Sequence, residues 1–357
     1  MPSSRSRITI YDIANELGVS ASTVTRALNN KTCISETTRN AVHEAAKRLG
    51  YRKNLLAQGL KAPQIRIGLI LRNKFPEYQN LIAAGARNAC SRLQDFNASL
   101  EYCMLDVQNY DDRLFEQISS FAERGFDGVI FTPCNTNRAN DLNALIREKG
   151  IHASTLYHML GFDDVDFCVG ADYARAGAIA ADLFSMCGLQ HGDLVAFLTG
   201  FGSTQPHHML TYKSFLRMSE QYGYDVRLME HSDNEKIAYF LTEQILAEIP
   251  NVKGIYCSTA VTTPVCDKLV EAGRSSDIIV IGTELLTDFV PYIQSSVINA
   301  SIFQNPYKIG FLSVMTLYDC IVGKPPAKRE VRINPQIVIR GNVDYYAKRI
   351  TDIDPEN

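Results

Sequence analysis

Residues 9–29 read TIYDIANELGVSASTVTRALN, and this stretch decides the fold of the N-terminal part of the chain. Thr9 is placed to cap a helix whose apolar residues recur at the spacing of one helix face, and Gly18 ends it. Ser20 is placed to cap a second helix of the same kind. Two helices joined by a short turn that contains glycine are typical of a helix-turn-helix unit.

A third helix follows, with Ser35 as its cap and Gly50 as its end. The three helices predict an all-α DNA-binding domain over residues 1–53, because the second helix of such domains enters the DNA major groove. Arg26 is suited to contact guanine there, and the methyl group of Ala21 can meet thymine. The alternative from the spacing is a helical bundle with a solvated charged face. The residues predicted to contact DNA from this domain are Thr9, Ser20, Ala21, Ser22, Thr23, Thr25, Arg26, Asn29, Lys31 and Arg39.

Charge is divided unevenly along the 357 residues of the chain. The net charge is −3, but residues 1–62 carry +6 and the remainder carries −9. A basic head on an acidic body is the asymmetry expected when a polyanion-binding module is joined to a second domain. The length allows two or three domains at about 100–200 residues each.

Several classes of protein are excluded by composition. The chain has no apolar run near the roughly 18 residues of a membrane span, and its start lacks the apolar stretch of a secretory signal. Its nine cysteines form no C-x-x-C pair, which favours free thiols in a reducing compartment. Clustered cysteine and histidine residues are absent too. We therefore expect a cytoplasmic protein without a metal or a cofactor.

Four motifs then identify a family. I10-Y-D-I-A14, G18-V-S-x-S-T-V-T-R-A-L-N29, I34-S-x-x-T-R39 and L49-G-Y51 occur in this order. Together they resemble the head of the LacI/GalR family of lactose-repressor-like transcription regulators. The resemblance implies a homodimer that binds a near-palindromic operator in double-stranded DNA.

Residues 54–62 correspond to the hinge of this family. The resemblance implies a hinge helix that forms on the operator, with Asn54 and Ala57 on its DNA side and Leu60 as the wedge in the minor groove. Such a wedge costs a few kcal/mol of base unstacking and allows a bent duplex to contact more protein. Gly59 costs about 1 kcal/mol relative to alanine in a helix, so we expect this helix to order less readily. The alternative is a flexible linker.

Residues 63–357 alternate strand-like runs and helical patterns, starting with a buried strand at 65–71. Such alternation predicts parallel sheets covered by helices, and the segment is too long for one core. The motifs F126-D-G-V-I-F-T132, V169-G-A-D172-x-x-R-A-G177 and V280-I-G-T-E284 resemble the effector domain of the same family. The resemblance implies a periplasmic-binding-protein-like α/β domain, in which two Rossmann-like lobes are joined by three crossovers and hold a small molecule between them.

The crossovers set the expected limits of the two lobes. We expect lobe 1 to comprise about residues 63–170 and 300–328, and lobe 2 about residues 171–299 and 329–350. This effector domain is also expected to hold the dimer contacts. The C-terminus shows no leucine heptads, so a dimer is expected rather than a tetramer.

Candidate ligand contacts are the polar and aromatic residues that follow strands, because ligands of open α/β sheets lie outside the carboxyl ends of the strands. The predicted set is Phe75, Tyr78, Thr132, Asp172, His208, Thr211, Ser258, Glu284 and Gln304. The rings of Phe75 and Tyr78 could equally cover the core, and Asp172 could equally cap a helix. Carboxylate and amide groups suit a sugar or a related polar metabolite, because an unmatched buried partner costs about 1–3 kcal/mol.

The predicted cleft departs from the family pattern at several positions. The family's usual arginine is replaced by Thr211, and its usual aspartate by Glu284. Ser258 and Thr259 stand where family members often carry asparagine and aspartate. His207 and His208 could supply a hydrogen-bond donor in place of the arginine. The resemblance therefore does not indicate which sugar the cleft binds.

Two other functions fit a two-lobed α/β fold. An NAD(P)-dependent oxidoreductase is suggested by Gly200-Phe-Gly202 after a strand, but the third glycine of a dinucleotide loop would be at 205, which is glutamine. A solute-binding protein would lack the head and carry an export signal. We predict that the chain is a ligand-responsive transcription regulator, a repressor, and not an enzyme.

Overall fold

The computed structural model describes residues 10–28, 34–49, 64–133, 138–200 and 205–349. The chain divides into two compact units, one of residues 1–63 together with 95–97 and one of residues 64–94 and 98–357. We describe the first unit as the head and the second as the effector domain. The linker predicted at 54–62 lies outside the described residues.

The head contains three short helices, α1 (Ile10–Leu17), α2 (Ala21–Leu28) and α3 (Glu36–Leu49). Gly18 ends α1 with φ +66°, a backbone conformation that favours glycine. The N–H of Thr23 donates to Oγ of Ser20 at 3.1 Å, as expected for the cap of α2. The prediction of an N-terminal helix-turn-helix domain is confirmed. Its core consists of Ile13, Ala14, Val24, Ala27, Val42, Ala45 and Ala46.

The effector domain contains two six-stranded sheets, and each belongs to one lobe. Lobe 1 has β1 (Ile65–Asn73), β2 (Ala98–Asp106), β3 (Gly128–Phe131), β4 (His152–Leu156), β5 (Phe167–Ala171) and β11 (Glu330–Ile333). Lobe 2 has β6 (Leu194–Thr199), β7 (Asp225–Glu230), β8 (Val252–Cys257), β9 (Ile279–Thr283), β10 (Ala300–Phe303) and β12 (Gln336–Val338). All paired strands are parallel except β12, which pairs antiparallel with β10.

The two sheets share one strand order. Lobe 1 is arranged β11-β5-β4-β3-β1-β2, and lobe 2 is arranged β12-β10-β9-β8-β6-β7. In each lobe the order reverses at one place, between β1 and β3 in lobe 1 and between β6 and β8 in lobe 2. Such reversal points open a crevice at the carboxyl ends of the strands. The predicted two-lobed α/β fold is confirmed.

Helices cover both faces of each sheet. Those of lobe 1 are α4 (Pro76–Arg92), α5 (Tyr110–Glu123), α6 (Ala139–Lys149) and α12 (Pro306–Ile321), with a short 3-10 helix at Gln94–Phe96. Those of lobe 2 are α7 (Tyr173–Met186), α8 (Pro206–Tyr222), α9 (Glu235–Glu248), α10 (Thr263–Glu271), α11 (Phe289–Gln294) and α13 (Val343–Arg349). Apolar side chains fill the space on both sides of each sheet.

The chain passes between the lobes three times, as expected, but two of the expected limits are wrong. Strand β10 pairs with β9 of lobe 2, so the chain returns to lobe 1 at residues 304–305 and not at 300. Strand β11 pairs with β5 of lobe 1, so the last crossing lies at 334–335 and not at 328. The reason is that short strands of similar composition do not reveal which sheet they will pair with.

Some elements were not predicted. These are the strands β4, β7, β11 and β12 and the helices α11 and α13. β7 alternates exposed and half-buried residues, and β12 has only three residues, so both give weak periodicity. No helix in the described part of the chain is long and apolar enough to cross a membrane. The seven cysteines within the described ranges are unpaired.

Helices α4 and α12 approach each other closely at a pair of glycines. A Cβ atom built on Gly85 would lie 1.9 Å from the carbonyl oxygen of Tyr307, and one built on Gly310 would lie 1.9 Å from that of Ile82. Any larger residue at either position must separate the two backbones. These helices cover the same face of the lobe 1 sheet, so their spacing determines how the core of lobe 1 packs.

Gly85→Ala is therefore expected to destabilise the effector domain. Alanine gains up to about 1 kcal/mol in helix propensity, but overpacking against a backbone carbonyl costs about 1–3 kcal/mol or more. We expect a lower Tm by calorimetry. Gly341→Ala is the matched control, because its Cβ would meet nothing within 4 Å. Equal Tm values for the two variants would contradict the close-packing argument.

Candidate functional site

The first candidate surface lies on helix α2 of the head. Ser20, Ser22 and Arg26 are exposed, whereas Ala21 and Thr25 are half-buried. The hydroxyl of Thr25 donates to the carbonyl oxygen of Ala21 at 2.9 Å, which leaves its oxygen lone pairs available. The exposed side of α2 therefore presents a guanidinium and hydroxyl groups, which suits contact with base edges and phosphates.

The other predicted head residues are placed as follows. The Oγ atoms of Ser20 and Thr23 lie 2.9 Å apart, so both hydroxyls belong to the cap of α2. Arg39 lies half-buried in the first turn of α3. Tyr11 of α1 is 65% exposed, and it was not among the predicted DNA contacts. The signal that could have found it is an aromatic residue on the polar side of α1. Thr9, Asn29, Lys31, Asn54, Ala57 and Leu60 lie outside the described residues.

The second candidate site is a cavity of about 140 Å³ between the two lobes of the effector domain. It is roughly ten times the volume that one water needs. Its walls are the segments that follow the strands next to both reversal points. The lining residues are Arg72, Lys74, Phe75, Tyr78, Gln79, Thr132, Pro133, Tyr157, His158, Tyr173, Gln205, His207, His208, Thr211, Asp233, Ser258, Thr259, Ala260, Thr283, Glu284 and Gln304.

Most of the predicted ligand contacts line this cavity. They are Phe75, Tyr78, Thr132, His208, Thr211, Ser258, Glu284 and Gln304. Asp172 is the exception, because it is not among the lining residues. Its carboxylate accepts a hydrogen bond of 3.0 Å from the N–H of Arg175 and caps α7, because it follows β5 on the crossover between the lobes.

Several lining residues were missed. Tyr157 and His158 follow β4 and Asp233 follows β7, two strands that the sequence did not predict. Arg72 and Lys74 lie at the end of β1, next to the predicted Phe75. The signal that could have found these two is their position at the carboxyl end of an otherwise apolar strand.

One wall of the cavity is aromatic. The ring of His207 lies 5.7 Å from that of Tyr157, 5.0 Å from that of Tyr173 and 5.6 Å from that of His158, measured between centroids. Tyr78 continues the wall at 6.4 Å from Tyr157. Rings at these distances form a continuous apolar surface with polar edges, on which the flat face of a small ligand can stack.

Glu284 is a buried carboxyl group at the end of β9, and it is 3% exposed. Both of its side-chain oxygens are buried and form no hydrogen bond of ordinary geometry, although the backbone N–H of Gln304 is near enough to lower its pKa slightly. Burial raises the pKa of Glu284 to about 8, because water no longer stabilises the carboxylate. At neutral pH this group is therefore mainly protonated, and it can both donate and accept a hydrogen bond.

The histidines of the cavity are kept neutral. Burial lowers the pKa of His158 and of His208 to about 4, and it lowers the pKa of His207 well below the ordinary value. A neutral imidazole carries one N–H donor and one acceptor nitrogen. These side chains can therefore match ligand groups of either kind.

Many polar atoms of the lining are buried without a hydrogen-bond partner. Beside Glu284 they are Nε of Arg72, Oγ1 of Thr132, Nδ1 of His207 and His208, Oδ1 of Asp233 and Oγ of Ser258. Each such atom costs about 1–3 kcal/mol when it is left unmatched, and native structures contain few of them. Their concentration here means that the cavity offers hydrogen-bond donors and acceptors to a small molecule.

Backbone strain is concentrated in the same place. Phe75, Tyr157 and Glu284 have φ values of 69°, 72° and 78°, which side chains with a Cβ rarely adopt. Each of these residues lies one or two positions after the end of a strand. Such conformations cost of order 1–3 kcal/mol each and cluster at ligand sites, where they aim side chains inward.

Polar contacts join the lobes across the cavity. The Lys74 ammonium of lobe 1 donates to the carbonyl oxygen of Ser232 in lobe 2 at 3.3 Å. The N–H and the hydroxyl of Thr287 in lobe 2 donate to Oε1 of Glu77 in lobe 1, at 2.9 and 2.7 Å. Both contacts are therefore made by the lobe 1 segment that follows β1.

Comparison with known proteins matches both parts of the chain. The family model for bacterial regulatory proteins of the lacI family matches residues 9–54. The model described as periplasmic binding protein domain matches residues 67–325. The two matches cover the head and most of the effector domain.

Among curated proteins the chain resembles several regulators. It is 30% identical over 197 residues to catabolite control protein A of Streptococcus mutans, covering 54% of this chain and 55% of that protein. The chain thus spans about half the length of this relative. It is 25% identical to the transcriptional regulator PtxS of Pseudomonas putida over 95% of this chain and 96% of that protein. The maltose regulon regulatory protein MalI of Escherichia coli is 26% identical, with 76% and 77% covered.

Solved structures share the fold of the effector domain. A glucose-galactose binding protein from Geobacillus stearothermophilus matches with a TM-score of 0.70 at 21% identity, over 79% of this chain and 99% of that chain. A solute-binding protein from Burkholderia graminis in complex with D-arabinose has a TM-score of 0.71 at 18% identity, over 80% and 99%. With a lacI-type head joined to a periplasmic binding protein domain, the chain belongs to the LacI family of bacterial regulatory proteins.

Proposed function

We propose that this protein is a transcriptional repressor that binds a palindromic operator as a homodimer and responds to a small sugar-like metabolite. The observation that carries the proposal is one chain with a helix-turn-helix head and a cavity full of unmatched polar atoms. The names of the relatives, which include catabolite control and maltose regulon regulators, support the same function.

On the DNA side, α2 enters the major groove and Arg26 reads a guanine by its two N–H donors. Ala21, Ser22 and Thr25 contact neighbouring bases, and Arg39 contacts a phosphate. Ser20 and Thr23 place the N-terminus of α2 beside the backbone, since their hydroxyls cap the helix. Thr9, Asn29 and Lys31 are further proposed phosphate contacts. Asn54, Ala57 and Leu60 act at the minor groove.

On the ligand side, the metabolite binds between the lobes and completes the hydrogen bonds of residues from both. Phe75 and Tyr78 cover its apolar face, while Thr132, Ser258, Glu284 and Gln304 bind its hydroxyl groups. His208 and Thr211 contribute from α8. Because these groups belong to two lobes, the bound ligand favours one angle between them. By thermodynamic linkage, the free energy by which the bound ligand changes operator affinity equals the free energy by which the bound operator changes ligand affinity.

The proposal is tested by selecting binders from random duplex DNA with the full-length protein. Salt must be held constant, because phosphate contacts make the affinity depend steeply on it. We expect a palindrome whose half-sites are related by the symmetry of a dimer. If no sequence is enriched, either with or without a mixture of metabolites, the proposed function is wrong.

Arg26→Ala is expected to weaken binding to the selected operator by about 1–3 kcal/mol and to relax the preference at one base pair in each half-site. The physical reason is the loss of paired hydrogen bonds to one base. Quantitative binding to a set of single-base operator variants measures this. Arg39→Ala is the control and should weaken binding about equally on every sequence. An equal loss on all sequences for Arg26→Ala would refute base recognition by this residue.

The raised pKa of Glu284 predicts that the stability of the folded chain depends on pH. Its pKa is about 8 in the folded chain against 4.5 ordinarily, so between these pH values the unfolded chain loses a proton that the folded chain keeps. The free energy of unfolding therefore falls as pH rises from about 4.5 to 8, by up to about 1.4 kcal/mol per pH unit. Glu284→Gln removes this contribution.

Chemical denaturation at several pH values measures the difference between wild type and Glu284→Gln without ligand. We expect the variant to gain stability relative to wild type as pH rises from 5 to 8. Glu220→Gln, which changes an exposed residue of the same lobe, should show no such trend. A difference that does not vary with pH would show that Glu284 is ionised in the folded protein.

A further inference from the structure

Arg72 is a cation of the cavity without an anionic partner. It lies near the end of β1, its Nε atom is buried, and that atom has no hydrogen-bond partner. Within the described residues its guanidinium forms no ion pair, and its one ring contact places Cζ 5.3 Å from the centre of Tyr110. Arg72 as a whole is half-buried, and the planar fork of its guanidinium matches carboxylate and phosphate groups.

Lys74 provides a second cation beside it. Burial lowers the pKa of Lys74, Asp233 acts in the opposite direction, and Arg72 lowers it further, so the two cations are close enough to repel. The ammonium lies 3.9 Å from Oδ2 of Asp233, at the outer limit of an ion pair. The Asp233 carboxylate is thus within reach of Lys74, and Arg72 adds a second positive charge beside Lys74.

His208 lies at the same end. Burial lowers its pKa, and the charge of Lys74 lowers it further. Its Nδ1 atom is buried without a partner and can carry an N–H toward an anionic oxygen. We call Arg72, Lys74 and His208 the basic end of the cavity.

The groups around Glu284 have a different character. The charge of Glu284 acts on the pKa values of Tyr78, Tyr157 and Tyr173, whereas the charge that acts on His208 is that of Lys74. This part of the cavity offers a carboxyl group and tyrosine hydroxyls, which match ligand hydroxyl groups. The cavity is therefore asymmetric in charge.

We infer that the ligand is a polyhydroxy compound with one acidic group, and that the basic end binds this group while Glu284 binds hydroxyl groups. This inference rests on the proposed function, since it specifies the ligand of the same cavity. A carboxylate or a phosphate would pair with Arg72 and Lys74 and would accept the N–H of His208. Charge-assisted hydrogen bonds of this kind are about twice as strong as neutral ones.

The test is calorimetric titration of the full-length protein, at constant pH and salt, with sets of matched sugars. One set is D-glucose, D-glucuronate and D-glucose 6-phosphate, and the other is D-galactose, D-galacturonate and D-galactose 6-phosphate. We expect at least one acidic member to bind about tenfold or more tightly than its neutral parent. The two acidic members of each set distinguish a carboxylate from a phosphate.

Arg72→Gln should weaken the acidic member about ten- to hundredfold and leave the neutral parent within about twofold. Arg113→Gln is the matched control, because Arg113 pairs with Asp106 on the surface of the same lobe and lies outside the cavity lining. Lys74→Gln provides a second variant if Arg72→Gln does not fold, and the same loss is expected for it.

Three results would overturn the inference: neutral parents that bind as tightly as their acids, an acid preference unchanged in both variants, or no binding by any acidic member. A neutral sugar that binds and alters affinity for the selected operator would overturn the inference and leave the proposed function intact. Failure to select any operator would remove the proposed function, while the measured preference for an acid would still stand.

Discussion

The cavity depends on one geometric constraint, which is that parallel strands end at the same edge of a sheet. In both lobes the strand order reverses once, and the segments after the strands beside that point face the other lobe. Side chains far apart in sequence, such as Lys74, Tyr157, Asp233 and Glu284, are thereby brought to one space. The close approach of α4 and α12 at Gly85 and Gly310 holds the helix layer of lobe 1 in place behind this edge.

Most of the buried side-chain polar atoms that lack a hydrogen-bond partner in the described part of the effector domain belong to residues that line the cavity. Its buried polar atoms lack partners, and three of its residues have strained backbone conformations. Under the proposed function, a bound metabolite pairs with these polar atoms. Binding energy that is released only when both lobes contact the ligand can bias the angle between them, which is what a ligand-responsive regulator requires.

The sequence predicted some parts of the site better than others. Phe75, Thr132, Ser258 and Glu284 were found because each follows a strand with a clear apolar run. Tyr157 and Asp233 were missed because β4 and β7 have weak patterns of their own. Asp172 fits the local pattern of a ligand contact, yet it caps a helix. Local pattern locates the end of a strand but not the direction in which the next side chain points.

The sequence by itself determined the helix-turn-helix head, the alternation of strands and helices and the family, because these depend on local periodicity, caps and ordered motifs. Only the tertiary structure decided which sheet β10 and β11 join, and which polar groups meet in the cavity without partners. Sheet pairing and burial arise from contacts between distant residues. The burial of Glu284 and of Nε of Arg72 beside one cavity is therefore a property of the assembled lobes rather than of any segment of the chain.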